Sequence, residues 1–502
     1  MNSIKKCTLA LFLGLAWAGS ALSQEPATLI NLELPAHALK KPFTGRVYLM
    51  TSKSPMLSVP AEPRWFQTEP FFSFQVKNWQ AGEPLALKAN CPGYPVESLG
   101  KLPPPGGGDF WVAAICDLNG GSRMIGATAG NLFSKPAKVT LHPEGKTPPT
   151  LALDQVYQER KFPESEQVRL VEIESKLLSA FHGRPVKLRA GVALPAGYAA
   201  AKDQQFPAVY EIPGFGGNHF AALRIPAMGK TKLDGVEVIQ VVLDPDCPTG
   251  HHVFADSDNN GPYGEALVTE LIPQLEKQFR LIPQSWARLV TGHSSGGWSS
   301  LWLQVKYPDT FGGVWSTAPD PVDFRDFQII NLYEPDQNMF VDQKGNPRPL
   351  GRRGDQPFLF YKPFSDMEVV VGRGGQLGSF EAVFSPKGAD GQPRKLWDRK
   401  TGKIDQETAQ AWKKYDIRLI VEQNWPKLKN KLAGKLHVYM GEKDTFYLEG
   451  ATRLLGDSFK KLGSNAMVEI FPGKDHSSLL DASLRARITK EMADSLRAGM
   501  AK

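Results

Sequence analysis

The chain has 502 residues, 41% of them hydrophobic and 22% charged, which is ordinary for a soluble globular protein. Its formal net charge of +7 is small for this length, and lysine and arginine form no dense cluster, which argues against nucleic-acid binding. A single hydrophobic core stops growing below this chain length, so we expect one large domain with at least one accessory domain.

Residues 1–23 have the features of a secretory signal peptide. Two lysines precede an apolar stretch, and Ala21 and Ser23 are small residues suited to cleavage before Gln24. The apolar stretch is too short for a comfortable membrane span, and no comparable stretch follows it. We therefore expect an exported protein that keeps no stable membrane span after cleavage. It would be secreted, or periplasmic in a Gram-negative bacterium.

Export would also affect the oxidation state of the cysteines. Export would leave Cys91, Cys116 and Cys247 in an oxidising compartment, where one of the three must lack an intramolecular partner. Cys91 and Cys116 fall in the same β-rich stretch, so we expect a disulfide between them. The sequence leaves open a pairing of Cys247 with either.

Residues 24–150 predict a small β-rich, sandwich-like domain followed by a linker. Short apolar or alternating runs such as GRVYLMTS and FWVAAICDL are separated by glycine- and proline-rich turns, and HPEGKTPPT is typical of a linker. Five aromatic residues in this stretch favour a sandwich core over a carbohydrate-stacking face. They are Trp65, Phe66, Phe71, Phe72 and Trp79.

Residues 151–502 predict an α/β domain with a mainly parallel sheet, because runs such as FPAVYEIPG and VEVIQVVLD alternate with helical patterns. The alternation stops at about 320–434, which is rich in proline, glycine and charge and has few clear periodic elements. It resumes with GKLHVYMG and ends in an amphipathic helix. We interpret the interruption as an insertion that forms a lid or substrate-binding cap.

The segment LVTGHSSGGWSSLWL predicts a nucleophile elbow. Ser294 lies between Gly292 and Gly296, the glycine spacing that a tight strand-to-helix turn requires, with a strand pattern before it and a helix pattern after it. The same template centred on Ser295 would need glycine at position 293, which is His293. Ser294 is therefore the predicted nucleophile.

A serine nucleophile needs a histidine base, which in an α/β-hydrolase follows it in the chain. Only His437 and His476 do so. His437 lies inside the strand KLHVYM, where a packed or edge residue is expected, whereas His476 lies in a loop just beyond a strand. His476 is the predicted base.

The acid should follow a strand between the nucleophile and the base. Asp444, in the loop after GKLHVYMG, is the predicted acid, with Glu442 as a minor alternative. Asp475 adjoins His476 in sequence and would struggle to face its ring. An oxyanion hole needs backbone N–H groups. We expect these from Ser295 and from Phe215 in IPGFGGNHF, with Gly216 as the alternative to Phe215.

Two further features were weighed as binding sites. The segment DSDNNG begins like a calcium loop, but Leu267 stands where the bidentate glutamate belongs, so we expect no metal. It is interpreted as a polar loop near the substrate, and His251 and His252 as substrate-binding residues. Nothing in the sequence requires an organic cofactor.

Four motifs resemble the putative esterase family of α/β-hydrolases, which includes S-formylglutathione hydrolases, enterochelin-type esterases and feruloyl esterases. They are YGEALVTELIPQLEKQFR, GHSSGG, GEKDTFYL and GKDHSSLL. The resemblance covers about 168–319 and 435–500. It implies an α/β-hydrolase fold and a triad of Ser294, Asp444 and His476. The β-rich front domain, the insertion and the GFGG loop depart from the family, so no relative's particular substrate carries over.

The sequence thus predicts a secreted serine hydrolase that cleaves a small-molecule or carbohydrate-linked carboxylic ester through an acyl-enzyme. Two alternatives stay open. One is an acyltransferase on the same scaffold, and the other is a binding protein on a hydrolase scaffold that has lost catalysis.

Overall fold

The structure is a computed structural model that describes residues 25–501. The predicted signal peptide, residues 1–23, lies outside the described residues.

The first part of the chain forms two β-sheets. Its strands are β1 (Thr28–Glu33), β2 (Phe43–Ser52), β3 (Phe71–Trp79), β4 (Pro84–Lys88), β5 (Gly93–Tyr94), β6 (Gly108–Asp117), β7 (Leu132–Phe133), β8 (Ala137–Leu141), β9 (Thr150–Ala152) and β10 (Gln155–Val156). One sheet has the order β4-β1-β9, and the other has the order β10-β7-β6-β2-β3-β5, with β8 paired to β6.

The larger of these sheets is buried on both faces. Along β2, Val47 and Leu49 pack into a core shared with the smaller sheet. Tyr48 and Met50 point the opposite way, into the core of the rest of the molecule. Because side chains alternate between the two faces of a strand, burial of both faces explains the unbroken apolar run VYLM.

The five aromatic residues divide between core and surface. Phe71, Phe72 and Trp79 are buried, as the core interpretation predicts, whereas the side chain of Phe66 is 44% exposed. Trp65 is half-buried and lies outside the strands, at a cavity described below.

The disulfide expected between Cys91 and Cys116 is absent, because both, like Cys247, are buried free thiols. Cys116 lies in β6, the Cys91 sulfur contacts the Ser73 carbonyl oxygen of β3 at 3.8 Å, and β2 runs between β6 and β3. Two interstrand spacings amount to about 10 Å, which is farther than a disulfide reaches.

The remainder of the chain carries the other strands. They are β11 (Val168–Glu174), β12 (Lys187–Ala193), β13 (Ala208–Ile212), β14 (Lys232–Leu233), β15 (Val236–Glu237), β16 (Ile239–Leu243), β17 (Asp246–Cys247), β18 (Gly250–His251), β19 (Asp256–Ser257), β20 (Gly261–Pro262), β21 (Arg288–His293), β22 (Gly313–Thr317), β23 (Pro349–Arg353), β24 (Gln356–Phe360), β25 (Leu436–Gly441) and β26 (Met467–Phe471).

The α-helices follow the same numbering along the chain. They are α1 (Lys176–His182), α2 (Tyr263–Ala266), α3 (Ile272–Gln278), α4 (Ser295–Lys306), α5 (Tyr361–Val371), α6 (Gln376–Phe384), α7 (Gln406–Ala411), α8 (Ile417–Leu432), α9 (Glu449–Lys461) and α10 (Ala482–Met500). No helix within residues 25–501 is both long enough and apolar enough to cross a bilayer.

The central sheet has eight strands in the order β11-β12-β16-β13-β21-β22-β25-β26. Strand β12 pairs antiparallel with β11 and with β16, and every other pair is parallel. The sheet is therefore mixed at one edge and parallel at its centre. The carboxyl ends of β13, β21, β22 and β25 meet along one edge, where loops carry the functional side chains.

The segment between β22 and β25 is more regular than the sequence suggested. It contains the β23–β24 hairpin and four helices, α5 to α8, where few periodic elements were expected. The reason is visible in α6, whose residues from Ser379 to Phe384 are all buried. A helix covered on all sides has no polar stripe, so its sequence lacks the amphipathic period.

The three thiols give a direct test of the corrected disulfide assignment. Burial raises the pKa of Cys91 and of Cys247 to about 12, so the native thiols should react slowly with a disulfide reagent. In a chain that begins at Gln24, unfolding in guanidinium without a reductant should expose three reactive thiols. A count of one thiol would mean that a disulfide forms.

Candidate active site

Ser294 occupies a strained turn between β21 and α4. Its backbone has φ 60° and ψ −126°, a conformation that residues with a side chain rarely adopt. A Cβ added to Gly292 would lie 2.1 Å from the carbonyl oxygen of Gly296, and one added to Gly296 would lie 1.9 Å from that of Ile212. Both positions therefore require glycine, as the elbow template predicts.

His476 and Asp444 form a buried hydrogen-bonded pair. Asp444 follows β25 and is fully buried, and His476 follows β26. The His476 Nδ1–H donates to Asp444 Oδ2 at 2.7 Å, while Asp444 Oδ1 accepts from the Phe446 N–H at 2.8 Å. The two bonds fix the carboxylate and leave Nε2 of His476 as the free ring nitrogen.

The charge of Asp444 controls the protonation of His476. Burial, the largest single influence, lowers the pKa of His476. The charge of Asp444 and its hydrogen bond, with smaller contributions from the charges of Asp320 and Asp475, outweigh burial and raise the pKa above the ordinary 6.5. His293 lies close by, with its ring centroid 4.7 Å from that of His476. Burial, assisted by His476, lowers the pKa of His293 to about 4, so His293 is neutral.

The competing acids bind elsewhere. Asp475 Oδ1 accepts from the backbone N–H of Ser477 and Ser478, and Glu442 Oε2 accepts from the N–H of Gly473. Neither carboxylate is hydrogen-bonded to the His476 ring, which selects Asp444 from the three candidates.

Ser294 and His476 line one cavity of about 260 Å³. The hydroxyl of Ser294 has no hydrogen-bond partner within residues 25–501. Ser294 and His476 therefore face the same cavity without a direct hydrogen bond between them. Catalytic contacts of this kind often tighten when a substrate binds. The wall is mainly apolar and aromatic. Its apolar side chains are Trp65, Phe215, Leu350, Leu359, Phe364, Leu377, Phe380 and Phe446.

Of the expected oxyanion donors, Phe215 lines this cavity, and Ser295 directly follows Ser294. Phe215 follows β13 and lines the wall, whereas its alternative Gly216 does not. A turn closed by the hydrogen bond from Gly217 N–H to the Gly214 carbonyl, with Gly216 at φ +84°, shapes the loop. Ser295 is the first residue of α4, so its N–H has no partner inside the helix.

His251 and His252, predicted to bind substrate, are both buried and do not line this cavity. His251 Nε2 donates to the carbonyl oxygen of Pro213 at 2.9 Å, and its Nδ1 accepts from the Val253 N–H. Burial lowers the pKa of His251 to about 4, which keeps the ring neutral. His251 therefore supports the loop that carries Phe215, and His252 donates in the same way to the carbonyl of Asp244.

The sequence analysis missed Asp320, Gln376 and Trp65, all of which line the cavity. Asp320 lies three residues beyond β22, at the carboxyl edge of the sheet, and that position is a signal that could have identified it. Gln376 begins α6, and Trp65 comes from the first part of the chain. Neither has a sequence motif that points to the site.

No group of three His, Cys, Asp or Glu side chains suited to a metal ion occurs within residues 25–501. In DSDNNG, the segment that begins like a calcium loop, Asp256 accepts hydrogen bonds from the Tyr307 hydroxyl and the Glu265 N–H.

Several solved structures are similar to part of this chain. Among solved structures, a ferulic acid esterase has 14% identity, covering 66% of this chain and 98% of its own, with a TM-score of 0.39. An S-formylglutathione hydrolase from Agrobacterium tumefaciens has 15% identity, with coverages of 66% and 95% and a TM-score of 0.39. A fluorophosphonate-binding serine hydrolase of Staphylococcus aureus has 11% identity, with coverages of 66% and 98% and a TM-score of 0.40.

No curated protein matches the sequence. The family model described as putative esterase matches residues 182–469, more than half of the chain, and spans the strands that carry Ser294 and Asp444. The chain therefore belongs to the putative esterase family of α/β-hydrolases.

Proposed function

We propose that this chain is an exported serine hydrolase that cleaves carboxylic esters through an acyl-enzyme on Ser294. The observation that carries the proposal is the 2.7 Å hydrogen bond between His476 Nδ1 and Asp444 Oδ2, at a cavity that also exposes the Ser294 hydroxyl. An orienting acid, a base with one free nitrogen and a serine on a strained elbow are the parts that this chemistry requires.

In the first half-reaction, Ser294 Oγ attacks the ester carbonyl carbon while His476 Nε2 takes the hydroxyl proton. Asp444 stabilises the resulting imidazolium. The N–H groups of Ser295 and Phe215 bind the oxyanion, a contribution worth about 10²–10³-fold in rate per donor. The tetrahedral intermediate then expels the alcohol, which takes its proton from His476 Nε2.

In the second half-reaction, His476 Nε2 takes a proton from a water molecule that attacks the acyl carbon. Collapse of this second intermediate breaks the bond to Ser294 Oγ, which recovers its proton from His476, and the carboxylic acid leaves. Every proton that leaves a nucleophile thus passes through His476.

The proposed cap is the segment between β22 and β25. It contributes Leu350 and Leu359 from the hairpin strands, Phe364 from α5, and Leu377 and Phe380 from α6 to the cavity wall. A wall of this composition excludes water from the acyl group and favours an apolar arm on the substrate. We propose that this segment sets which esters fit.

Replacing Ser294 with alanine should lower the kcat for p-nitrophenyl butanoate at least about 10⁴-fold, because no other group can form the acyl-enzyme. A fluorophosphonate probe should label the wild-type chain and fail to label this variant. Ser483→Ala, which removes an exposed hydroxyl on α10, is the matched control and should keep full activity and labelling. Turnover retained by Ser294→Ala would refute the mechanism.

The pH dependence should report the His476–Asp444 pair. His476 acts as a base only when neutral, so kcat/KM should fall as the pH drops through its pKa, and the midpoint should lie above 6.5 because that pKa is raised. In Asp444→Asn the largest raising charge is gone while burial and the smaller raising charges of Asp320 and Asp475 remain, so the midpoint should move below that of the wild type. The rate should also drop about 10⁴-fold.

An unchanged midpoint in Asp444→Asn would contradict the assigned roles. Glu442→Gln is the control, since its carboxylate binds the Gly473 N–H instead of His476, and its midpoint should match that of the wild type.

Export should leave an N-terminus at Gln24. Expressed with its own leader in a Gram-negative host, the chain should appear in the periplasm or medium with residues 1–23 removed, as measured by intact mass. Ala21→Arg places a bulky charge three residues before the cleaved bond and should yield the uncleaved form. Recovery of the wild-type chain in the cytoplasm with residues 1–23 intact would contradict export.

A further inference from the structure

Asp320 is a carboxylate beside the nucleophile that the proposed mechanism does not use. It follows β22, its backbone N–H donates to the carbonyl oxygen of Ser294 at 3.3 Å, and its side chain lines the cavity although only 7% of the residue is exposed. A buried carboxylate is costly unless it is paired or hydrogen-bonded, so its partners decide what it does.

The two oxygens of Asp320 have different environments. Oδ2 accepts from the Ser295 hydroxyl at 2.6 Å. Oδ1 accepts no hydrogen bond from residues 25–501. The atom is not fully buried, so it remains accessible from the cavity. An ionised carboxylate can accept about four hydrogen bonds, which leaves acceptor capacity directed at the substrate space.

The carboxylate is also held in place. Ser295 is fixed at the start of α4, and its hydroxyl accepts a long hydrogen bond from Gln376 Nε2 at 3.4 Å, which links Asp320 to α6. Burial raises the pKa of Asp320 to about 6, so the group is largely ionised at neutral pH. A pre-positioned acceptor loses little entropy when a donor binds it.

The charge of protonated His476 lowers the pKa of Asp320, but His476 is neutral before it takes the Ser294 proton and does not then compensate Asp320. Within the described residues, neither lysine nor arginine lines this space, and the other walls are chiefly aromatic and aliphatic. A substrate that is apolar throughout would leave Oδ1 without a hydrogen bond as water is displaced. A substrate that brings a donor would satisfy it.

We propose that the substrate carries a hydroxyl or ammonium group a few bonds from the scissile ester, and that Asp320 Oδ1 accepts a hydrogen bond from it. This inference rests on the proposed esterase function and names Asp320 as its specificity-determining residue. The shared chemistry is a hydrogen-bond donor beside an apolar arm, and carboxylate-bearing esters are excluded by repulsion from Asp320.

The test compares esters that differ only in one terminal group. p-Nitrophenyl butanoate, 3-hydroxypropanoate and 3-aminopropanoate place CH₃, OH and NH₃⁺ at the same position of the acyl half. Propyl acetate and 2-hydroxyethyl acetate do the same in the alcohol half. Each kcat/KM is divided by the hydroxide-catalysed rate of that ester, which removes differences in intrinsic reactivity.

The wild-type enzyme should prefer a donor-bearing ester over its methyl counterpart by about tenfold to a hundredfold in at least one series, as expected for a hydrogen bond to a charged acceptor. Asp320→Leu should reduce that preference to below about twofold. Asp203→Asn removes an exposed carboxylate outside the site and should keep the wild-type preference.

Asp320→Asn distinguishes the two donors and is also the second variant should Asp320→Leu fail to fold. The amide keeps polar atoms that can bond a hydroxyl but has lost the charge. A hydroxyl preference should therefore survive in this variant, and an ammonium preference should disappear.

Equal normalised rates for all esters in the wild type would overturn the inference, as would a preference that Asp320→Leu leaves intact. If Asp320 only held the Ser294 turn in place, Asp320→Leu would lower kcat/KM for every ester by the same factor and leave the ratios unchanged. That result would also overturn the inference. Failure of the proposed function would look different, because either the wild type would hydrolyse none of these esters or hydrolysis of every ester would persist in Ser294→Ala.

Discussion

The crowding at the Ser294 turn is the constraint on which the site depends. The backbone of α4 enters so close to its neighbours that a Cβ on Gly296 would meet the Ile212 carbonyl, and one on Gly297 would lie 2.6 Å from the Thr317 carbonyl oxygen. These contacts fix the ends of β13, β21 and β22 relative to one another. The strained backbone of Ser294 costs about 1–3 kcal/mol, which the packing around it must offset.

The same edge of the sheet supplies the acid and the base, so their separation is set by strand spacing rather than by loop flexibility. Asp444 is held from outside its own loop as well. Arg352 in β23 donates from Nε to the Asp444 carbonyl oxygen at 3.0 Å and pairs with Glu449 at the start of α9. The segment between β22 and β25 thus braces the acid loop in addition to lining the cavity.

The local chemistry of the site was predictable because it depends on short-range patterns. Glycine spacing around Ser294 reflects a steric limit that acts over five residues, and the positions of Asp444 and His476 follow from strands that end just before them. The order of the triad along the chain needed only the fold class. These elements can be predicted from a single sequence because neighbouring residues determine them.

What the sequence did not reveal depends on contacts between distant segments. Whether Cys91 reaches Cys116 is decided by β2, which runs between β3, the strand that Cys91 contacts, and β6, the strand that carries Cys116. The burial of His251 is decided by the loop whose Pro213 carbonyl accepts its hydrogen bond. The helical character of α6 is hidden because it is covered on nearly all sides. Asp320 follows a strand at the carboxyl edge of the sheet, which is a signal of a site position, but only its neighbours show that it lines the cavity.

Side chains from the first part of the chain contact the loop that carries Phe215. The Trp65 ring lies 5.5 Å from that of Phe215 in the oxyanion loop and 5.1 Å from that of Phe364 in α5. Arg123 forms an ion pair with Glu62, and its guanidinium lies over the Phe215 ring, 4.3 Å from the ring centroid. In the proposed mechanism Phe215 presents its N–H to a developing charge, so a motion of this region would move the proposed oxyanion donor. The β-rich region therefore contributes to the cavity wall and supports the loop that carries Phe215, together with the Gly214–Gly217 turn and His251.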